Sequence, residues 1–374
     1  MSGILVHEWL ARHGGSENVF EVLSQAFPDA ERFCLWNDSD GRFRGVHETV
    51  LARTPLRRSK AAALPFMPSV WRHLPRRDAE WVLCSSHLFA HHARFRGAAR
   101  DAPKLVYAHT PARYVWAPEL DGRGSGMVAR AVSGLLKPVD RKRAAEPVSI
   151  AANSAFVARR IAETWKREAT VIHPPVNVSA FATPVTDLTS AEHEILAGLP
   201  PEFLLGVSRF VPYKRLDRVI EAGAAVGVPV VLAGGGPDED RLRALAAEVR
   251  EPAMFVQDPS SRLLAALYRR AHALVFPSVE DFGIMPVEAM ASGTPVVANA
   301  VGGTSESVVD SVTGALVHDW TRSELTSAVE RAVGADPNAC VARALEFDTS
   351  VFVDRITDWV ATQTQTRGAA SPIS

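Results

Sequence analysis

Cysteine is scarce in this 374-residue sequence: Cys34, Cys84 and Cys340 lie far apart and outside any Cys-x-x-Cys pattern. Three scattered cysteines support neither a disulfide framework nor a zinc cluster, and they favour a reducing compartment. An excess of one charge is also lacking, because 41 basic and 42 acidic residues leave a net charge of −1. Without a basic surplus or an RNA- or DNA-binding motif, nucleic-acid binding is not expected.

Long apolar stretches are absent as well. No run of about 18 to 20 apolar residues occurs, so the sequence predicts no membrane-spanning helix. The first residues, MSGILVHEWLARHGGSE, lack the basic start, apolar core and cleavage site of a secretory signal. We therefore expect a cytoplasmic protein, and attachment to the inner face of a membrane is compatible with this sequence.

What the sequence contains is the composition of a globular protein, with 47% apolar and 22% charged residues. At roughly 150 residues per domain, its length favours two domains. Short apolar runs alternate with helical stretches in two series, which predicts an α/β fold with parallel sheets. The predicted strands are Gly3–His7, Trp81–Ser85, Lys104–His109 and Pro147–Asn153, then Phe203–Ser208, Pro229–Gly234, Ala253–Gln257, Ala273–Ser278 and Pro295–Asn299.

A proline-rich segment, VIHPPVNVSAFATPVTDLTS, separates the two series. About 20 residues without periodicity is more than a compact domain usually contains, so we place the boundary near Thr183. The predicted domains are residues 1–183 and 184–347, followed by a terminal helix and tail, 348–374. The terminal helix starts with Asp348 or Thr349 as N-cap and carries apolar residues at helical spacing.

Glycines follow two of the predicted strands. Gly14 and Gly15 precede an amphipathic helix that begins near Ser16. The amides at a helix start carry partial positive charge, and glycine lets an anion approach closely, so both glycines are candidate phosphate contacts. A tight turn capped by Ser16 explains the same residues. In LAGGGP, Gly234 and Gly235 are candidate contacts to a nucleotide base.

Two cations follow the first strand of the second series, in GVSRFVPYKRLDRV. Arg209 closes the strand, and Lys214 lies five residues later, just before a helix. The carboxyl ends of parallel strands border the crevice where such sheets bind ligands, so this pair can hold a diphosphate. The alternative is a solvated basic turn, because surface arginine and lysine are common.

The segment LVFPSVEDFGIMPVEAMASGTPVVAN carries the most chemical information. Glu280 lies in a loop after a predicted strand, and Glu288 follows eight residues later in a helix. Helical rise separates the two carboxylates, so they can bind hydroxyl groups at two ends of one sugar nucleotide. The backbone amides of Phe282, Gly283 and Ile284 open the helix and can face the intervening diphosphate.

Two histidines lie at strand ends in the first series. His109 ends the strand in YAHTPARYVW, with Arg113 and Trp116 in the turn that follows, and His7 ends the first strand. A histidine in either position can hydrogen-bond a ligand hydroxyl or serve as a structural residue. His7, Arg113 and Trp116 are candidate contacts to an acceptor molecule.

Taken in order, GGSE, YAHTP, SRFVPYKR, LAGGGP, EDFGIMPVEAMASGTPVVA and GGTSE resemble the retaining glycosyltransferases of family 4 over about residues 3–360. The two glutamates eight positions apart, with the Gly-Thr-Pro-Val-Val continuation, form the specific part. The resemblance implies a GT-B fold, in which two Rossmann-like domains face each other across a cleft and a terminal helix returns to the first. Ser311 stands where the family often has glycine, which puts that turn in doubt.

The resemblance also implies roles in the second domain. Glu280 is similar to the carboxylate that holds the donor sugar, and Glu288 to the one that holds the ribose. Arg209 and Lys214 are similar to the pair that binds the diphosphate.

In the first domain, Gly15 resembles a glycine that contacts the diphosphate, and His109 resembles a histidine beside the transferred sugar. The resemblance implies that the incoming hydroxyl attacks the face from which the diphosphate leaves, so configuration is retained. Cations and helix amides stabilise the leaving group, and no Asp-x-Asp motif lies at a strand end. Because neither Asp38-Ser39-Asp40 nor Asp238-Glu239-Asp240 lies at the end of a predicted strand, we expect neither a metal ion nor another cofactor.

Substrates are suggested by two segments. YAHTPARYVW is similar to family members that include mannosyltransferases of polysaccharide and O-antigen assembly, which makes GDP-mannose the first expected donor. Between Gly41 and Arg77, nine Lys or Arg accompany one acid, Glu48, and apolar residues lie among them. Residues 53–77 are expected to meet anionic lipid headgroups, and thus a lipid-linked glycan, or else to recognise a soluble hydroxyl acceptor.

Two other functions fit part of the sequence. A sugar-nucleotide 2-epimerase of similar fold would need acid and base groups near C2 and C3 of the sugar, which the glutamate pair does not suggest. A non-catalytic nucleotide-binding protein would leave the cations and both glutamates without a use.

Overall fold

The computed structural model describes residues 2–116 and 127–368, so the end of the expected tail lies outside the described residues. The chain forms two compact units. Unit 1 comprises residues 1–175 and 350–374, and unit 2 comprises residues 176–349. The division precedes Thr183 because the short helix Val178–Ala182 contributes to the apolar core of unit 2.

Unit 1 is built on a parallel sheet. The strands of unit 1 are β1 (Gly3–His7), β2 (Leu10–Ala11), β3 (Glu31–Cys34), β4 (Asn37–Asp38), β5 (Val46–Glu48), β6 (Trp81–Ser86), β7 (Lys104–Ala108), β8 (Ser149–Ala152) and β9 (Thr170–Val171). Strands β2 and β4 pair separately from the main sheet. Its helices are α1 (Gly15–Ala26), α2 (Lys60–Ala63), α3 (Met67–Trp71), α4 (Arg113–Trp116), α5 (Met127–Ala144) and α6 (Ala155–Thr164). Short 3-10 turns cover 50–53, 55–58, 90–92 and 98–100.

The strand order of the main sheet is β5-β3-β1-β6-β7-β8-β9. From β1 the chain moves outward to β3 and β5, then returns to β6 and proceeds in the opposite direction. The order therefore reverses between β1 and β6. In parallel α/β sheets, such a switch point lies where the carboxyl ends of the strands bind ligands.

Unit 2 is a second parallel sheet with helices. Its elements are α7 (Val178–Ala182), α8 (Ser190–Ala197), β10 (Leu204–Val207), α9 (Asp217–Val226), β11 (Val230–Gly234), α10 (Glu239–Glu248), β12 (Ala253–Gln257), α11 (Ser261–Arg270), β13 (Ala273–Phe276), α12 (Ile284–Ala291), β14 (Val296–Asn299), β15 (Gly314–Val317), α13 (Arg322–Val333) and α14 (Pro337–Leu345). The strand order is β12-β11-β10-β13-β14-β15, so the switch point lies between β10 and β13.

The last helix, α15 (Thr349–Gly368), belongs to unit 1 from Ser350 onward. Phe352, Ile356 and Trp359 are buried in one of the apolar clusters of unit 1. The indole nitrogen of Trp359 donates a hydrogen bond of 3.1 Å to Ser149 Oγ. The chain thus closes by returning to its first unit, as the family resemblance implied.

Ser311 lies in the turn before β15, at the position where the family resemblance leads us to expect glycine. Ser311 has a positive φ of 63°, in the left-handed region where glycine is favoured. Its amide donates to Gly314 O at 2.8 Å, which closes the turn despite the strain. The glycine expected there is therefore replaced at an energetic cost.

Replacing Ser311 with glycine should stabilise unit 2 by about 0.5–1 kcal/mol, because relief of the left-handed strain outweighs the added freedom of the unfolded chain. Equilibrium unfolding in urea measures the change. As a control, Ser327→Gly in the interior of α13 should destabilise by about 0.5 kcal/mol. A destabilising Ser311→Gly would contradict the strain argument.

None of the helices in the described ranges combines the length and the apolar character required to cross a membrane.

Candidate functional site

The switch point of unit 2 brings two opposite charges into contact. Lys214 ends the 3-10 turn Pro212–Lys214 after β10, and Glu280 lies in the loop after β13. Since β10 and β13 are neighbouring parallel strands, both loops leave the same edge of the sheet. The Lys214 ammonium donates to Glu280 Oε1 in a short ion pair. This contact joins the two residues that sequence analysis assigned to the diphosphate and to the donor sugar.

Both partners of this ion pair are largely shielded from water, with 10% of the Lys214 side chain and 18% of the Glu280 side chain exposed. A shielded charge is costly unless it is paired. A phosphate group would give Lys214 another anionic partner, and sugar hydroxyls would give Glu280 hydrogen-bond donors. The pair is therefore a place where an anionic, hydroxyl-rich ligand can replace an internal contact.

Arg209 approaches this pair through a tyrosine. Its guanidinium donates a 2.7 Å hydrogen bond to the hydroxyl of Tyr213, and Arg209 is exposed to solvent. The Lys214 ammonium lies 5.4 Å from the centre of the same tyrosine ring. Tyr213 therefore connects the two cations.

The loop that carries Glu280 is fixed by the turn at Gly302–Thr304. The amide of Gly303 donates to Glu280 O at 2.8 Å. Gly283, which caps α12, has a φ of 89°, and a β-carbon there would lie 2.6 Å from Thr304 Oγ1. Phe282 is buried and packs against Phe347, with ring centres 5.4 Å apart. These contacts define the start of α12, where the amides of Phe282, Gly283 and Ile284 were predicted to face a diphosphate.

The glycines after β11 have a backbone role. A β-carbon on Gly234 would lie 1.9 Å from Ser208 O, and the φ of Gly234 is 136°. The amide of Phe210 donates to Gly235 O at 2.8 Å. Close approach of this turn to the loop after β10 accounts for the glycines, and their predicted contact with a base stays a prediction.

Glu288 lies in the middle of α12 and accepts a hydrogen bond of 3.2 Å from the hydroxyl of Tyr268. Burial raises the pKa of Glu288 from 4.5 to about 7, although the hydrogen bond from Tyr268 opposes this shift. Near neutral pH this carboxyl group is partly ionised, and its ionised form accepts hydrogen bonds from ligand hydroxyls. The ribose contact predicted for Glu288 stays a prediction.

The raised pKa of Glu288 predicts a pH-dependent stability. The folded protein holds this proton more tightly than the unfolded chain, so the stability that Glu288 contributes falls as pH rises from 4.5 to about 7. Glu288→Gln removes the titration. Relative to the parent, the variant should gain about 2 kcal/mol between pH 5 and pH 8, as measured by urea unfolding. An unchanged difference would show that the pKa is ordinary.

The switch point of unit 1 joins two histidines through a serine. Strand register places Ser85 of β6 beside His7 of β1. Ser85 Oγ lies 3.1 Å from His7 Nδ1 and 2.8 Å from His109 Nε2. One hydroxyl thus links both histidines that were predicted from strand ends.

These histidines are electrostatically coupled to His87. Its ring centre lies 5.6 Å from that of His7 and 6.2 Å from that of His109. Burial, together with the neighbouring histidines, lowers the pKa of His7 and lowers the pKa of His87 to about 3. Both rings are therefore neutral at physiological pH, and each can donate one hydrogen bond and accept another.

The carboxylate of Glu17 lies at the start of α1, where a phosphate contact was predicted. Gly14 is the N-cap, without a side-chain hydrogen bond, so Ser16 does not cap the helix. Glu17 Oε1 accepts from the amide of Ala11 at 3.2 Å, and Ser16 donates to its Oε2 at 2.8 Å. This carboxylate lies close to Gly14, where a β-carbon would be 2.0 Å from Glu17 Oε2. The phosphate contact predicted for Gly14 and Gly15 remains a prediction.

Trp116 belongs to a buried hydrogen-bond network. Its indole nitrogen and that of Trp165 each donate to Asp140 Oδ2 at 2.7 Å. Asp140 Oδ1 lies 3.1 Å from His91 Nε2 and 3.0 Å from His92 Nε2. Burial alone would raise the pKa of Asp140, but the two histidines hold it low. Arg113 lies at the start of the same short helix, α4.

His91, His92 and Asp140 are the only group of three or more potential metal ligands among the described residues. Their arrangement also fits a carboxylate that accepts hydrogen bonds from indole and imidazole groups. The expected independence from metal therefore remains a prediction.

The basic segment 41–77 carries less net charge than its sequence indicates. Several of its cations pair with acids elsewhere in unit 1: Arg42 with Glu21, Arg57 with Asp38, Arg72 with Glu146 and Arg77 with Glu31. Arg53, Arg58, Lys60 and Phe66 are exposed. Arg44 and Arg76 are exposed as well, and residues 53–66 combine three exposed basic side chains with an exposed aromatic one.

Sequence reasoning missed Ser85, His87, Tyr213 and Tyr268. Each of them contacts a predicted site residue, either one that is distant in sequence or one that lies against its ring. Ser85 ends a predicted strand, as His7 does, and this shared position was the available signal. Pairing them requires the strand order.

Two family models match most of the chain. The model of Glycosyltransferase Family 4 matches residues 13–180, and that of Glycosyl transferases group 1 matches residues 189–339. Among curated proteins, D-inositol 3-phosphate glycosyltransferase of Mycolicibacterium smegmatis is 34% identical over 202 residues, covering 50% of this chain and 45% of that protein. The Mycobacterium sp. strain KMS protein of the same name is 37% identical, covering 47% of this chain and 43% of that protein. The chain matches about half the length of these relatives.

Solved structures share the whole architecture. Anabaena HepE in complex with UDP-glucose has a TM-score of 0.69 at 17% identity, covering 96% of this chain and 99% of that chain. Sucrose-phosphate synthase from Thermosynechococcus elongatus has a TM-score of 0.68 at 17% identity, covering 98% and 100%. At these identities the likeness establishes the fold.

Two Rossmann-like units with parallel sheets, and a last helix that returns to the first unit, define the GT-B fold class. The matched models span both units in order. The chain belongs to glycosyltransferase family 4.

Proposed function

We propose that this protein transfers a hexose from a nucleoside diphosphate sugar to a hydroxyl acceptor, with retention of configuration and without a metal ion. The observation that carries the proposal is the shielded Lys214–Glu280 pair at the switch point of unit 2. The pair supports the proposal because an ammonium that can bind a diphosphate lies beside a carboxylate that can bind sugar hydroxyls, shortly before α12 in the chain.

In the proposed reaction, the bond between the anomeric carbon and the diphosphate oxygen breaks, and its electron pair leaves with the diphosphate. The acceptor oxygen bonds to the anomeric carbon from the same face, and its proton passes to the departing phosphate oxygen. Lys214 and Arg209 stabilise the charge that develops on the diphosphate. Glu280 holds donor hydroxyls, Glu288 holds the ribose, and His109 binds a sugar hydroxyl in unit 1.

GDP-mannose is the first donor to test, because YAHTPARYVW is similar to segments of mannosyltransferases. UDP-glucose is the second, since HepE was solved with it. Inositol phosphate is an acceptor candidate from the names of the curated relatives, alongside lipid-linked glycans. Incubation with each donor in EDTA, followed by NMR of the product, tests both transfer and anomeric configuration.

Each alternative outcome identifies a different function. An inverted product would overturn retention, and activity restored only by a divalent ion would overturn metal independence. Epimerisation of the donor without acceptor would favour a 2-epimerase. Nucleotide binding without reaction across the donor and acceptor panels would favour a non-catalytic protein.

A lipid-linked acceptor is proposed on the basis of Arg53, Arg58, Lys60 and Phe66, whose exposed side chains can meet anionic headgroups and the acyl boundary. Flotation with phosphatidylglycerol vesicles at low salt tests this. The parent should float, and Arg53→Glu/Arg58→Glu should not. Parent protein that stays at the bottom of the gradient would favour a soluble acceptor.

Ser85 should act as a positioning residue. Ser85→Ala removes the hydroxyl that orients His109, so we expect kcat to fall about tenfold with donor KM changed less than twofold. Ser85→Thr keeps the hydroxyl and should recover most of the rate. Equal losses in both variants would indicate a packing effect instead.

A further inference from the structure

A cavity of about 610 Å³ lies in unit 1 away from its switch point. Its lining includes Val82 and Lys104, near the first residues of β6 and β7, and Val148, just before β8. It therefore opens at the amino-terminal edge of the sheet. His7 and Ser85 lie at the carboxyl edge, and β6 is six residues long, which separates the two edges by roughly 17 Å.

The charge of the cavity lining is strongly positive. Five basic side chains face two acids, Asp101 and Glu146, so the net charge is +3. The basic residues are Arg72, Arg94, Arg100, Lys104 and Arg143. Such a surplus in a concave site attracts anions.

Three of these cations form ion pairs with one carboxylate. Glu146 lies 2.7 Å from Arg72, 2.8 Å from Lys104 and 2.9 Å from Arg143, measured between charged atoms. Three positive charges therefore share a single negative one. The cluster is held in place by this carboxylate but is not neutralised by it.

The remaining two cations lack such compensation. Among the contacts of the described residues, Arg94 and Arg100 form no ion pair, and both are exposed. Burial lowers the pKa of Arg72, and repulsion from Arg143 and Arg94 lowers it further, against the contact with Glu146. The folded unit thus contains mutual repulsion that an anion would relieve.

The geometry points to a second binding site here, for a small molecule that carries a phosphate or diphosphate group. Arginine guanidinium groups bind phosphate oxygens with paired hydrogen bonds. The volume lies within the range of small-molecule sites, so it has room for more than a phosphate, as in a sugar phosphate. The site is distinct from the residues proposed for transfer, and its existence does not depend on that function.

Calorimetric titration with inorganic pyrophosphate, at constant ionic strength and without divalent ions, tests the site. The full chain with Lys214→Met serves as the starting protein, which weakens binding at the proposed donor site. Adding Arg94→Ala/Arg100→Ala should weaken the remaining pyrophosphate binding at least about tenfold. A matched control, Arg44→Ala/Arg250→Ala, removes two exposed arginines outside the cavity and should change affinity less than twofold.

A charge change inside the cluster gives an effect of opposite sign. Glu146→Gln frees three cations from their shared partner, so pyrophosphate should bind several-fold more tightly and raise the unfolding midpoint more than in the starting protein. Weaker binding in Glu146→Gln would contradict the proposal. If that variant does not fold, the Arg94/Arg100 comparison alone decides.

The source of the phosphate group is distinguished by a second arm with phosphatidylglycerol vesicles. Binding of pyrophosphate or of vesicles that depends on Arg94 and Arg100, but not on Arg44 and Arg250, supports the site. Dependence with pyrophosphate indicates a soluble ligand, and dependence with vesicles alone indicates a lipid headgroup. Binding insensitive to Arg94 and Arg100, or no binding of either probe, overturns it.

Discussion

Glu280→Ala should lower kcat for sugar transfer by about 10² to 10³, because it removes the carboxylate proposed to hold the donor sugar in its reactive position. Affinity for the free nucleoside diphosphate should stay the same or increase. In the parent, a diphosphate bound as proposed would have to displace Glu280 from Lys214. In the variant, Lys214 is available from the start. Steady-state kinetics and calorimetry measure the two effects on the same preparation.

Stability gives an independent readout of Glu280→Ala. Removing one partner leaves the Lys214 charge shielded and unpaired, so the ligand-free variant should lose about 1–3 kcal/mol of unfolding free energy. Nucleoside diphosphate should restore more stability than it does in the parent. Glu221→Ala, which breaks the exposed pair with Arg218, is the control and should change both quantities little. Transfer at the parent rate in Glu280→Ala would refute the donor-site assignment.

Lys214→Met should weaken binding of nucleoside diphosphates about 10- to 100-fold, because the shielded ammonium is replaced by an apolar side chain of similar length. Transfer should fall further than binding, since the charge on the leaving diphosphate grows during the reaction. Initial rates at saturating donor separate the two effects.

The control for Lys214→Met is its neighbour Arg215. Arg215 bonds to Asp217 and is exposed, so Arg215→Met should keep nucleotide affinity within about twofold. Equal losses in both variants would mean that general positive charge, not the position of Lys214, binds the diphosphate.

The strands that support the candidate site could be predicted from sequence because they are short, apolar and bounded by turn residues. Their observed ends lie within two residues of the predicted ends, as for β12 and β10. Strands β2, β3, β4, β5, β9 and β15 were not predicted. Glu31 and Arg32 make β3 look polar, and β5 and β15 are short edge strands of three and four residues.

Contacts between distant residues could not be predicted. Lys214 and Glu280 are 66 positions apart, and only the adjacency of β10 and β13 brings their loops together. The Ser85 link between His7 and His109 likewise depends on the pairing of β6 with β1 and β7. The sequence indicates which residues leave the carboxyl edge of a sheet. Strand order determines which of them meet.

Acids that lie near or far in sequence changed the interpretation of two predicted features. Glu17 fills the space beside Gly14 at the start of α1, although it was not considered as a competitor for a phosphate. Glu21, Glu31 and Asp38 pair with cations of segment 41–77 and reduce its apparent charge. Counting charges along a segment omits such partners.

The most direct test of the central claim is nucleotide binding at the Lys214–Glu280 pair. Calorimetric titration with GDP, UDP, ADP and dTDP in EDTA, on the parent and on Lys214→Met, measures it. We expect one nucleotide to bind selectively without metal and Lys214→Met to weaken that binding at least about tenfold. No binding of any nucleotide, or binding unaffected by Lys214→Met, would contradict it.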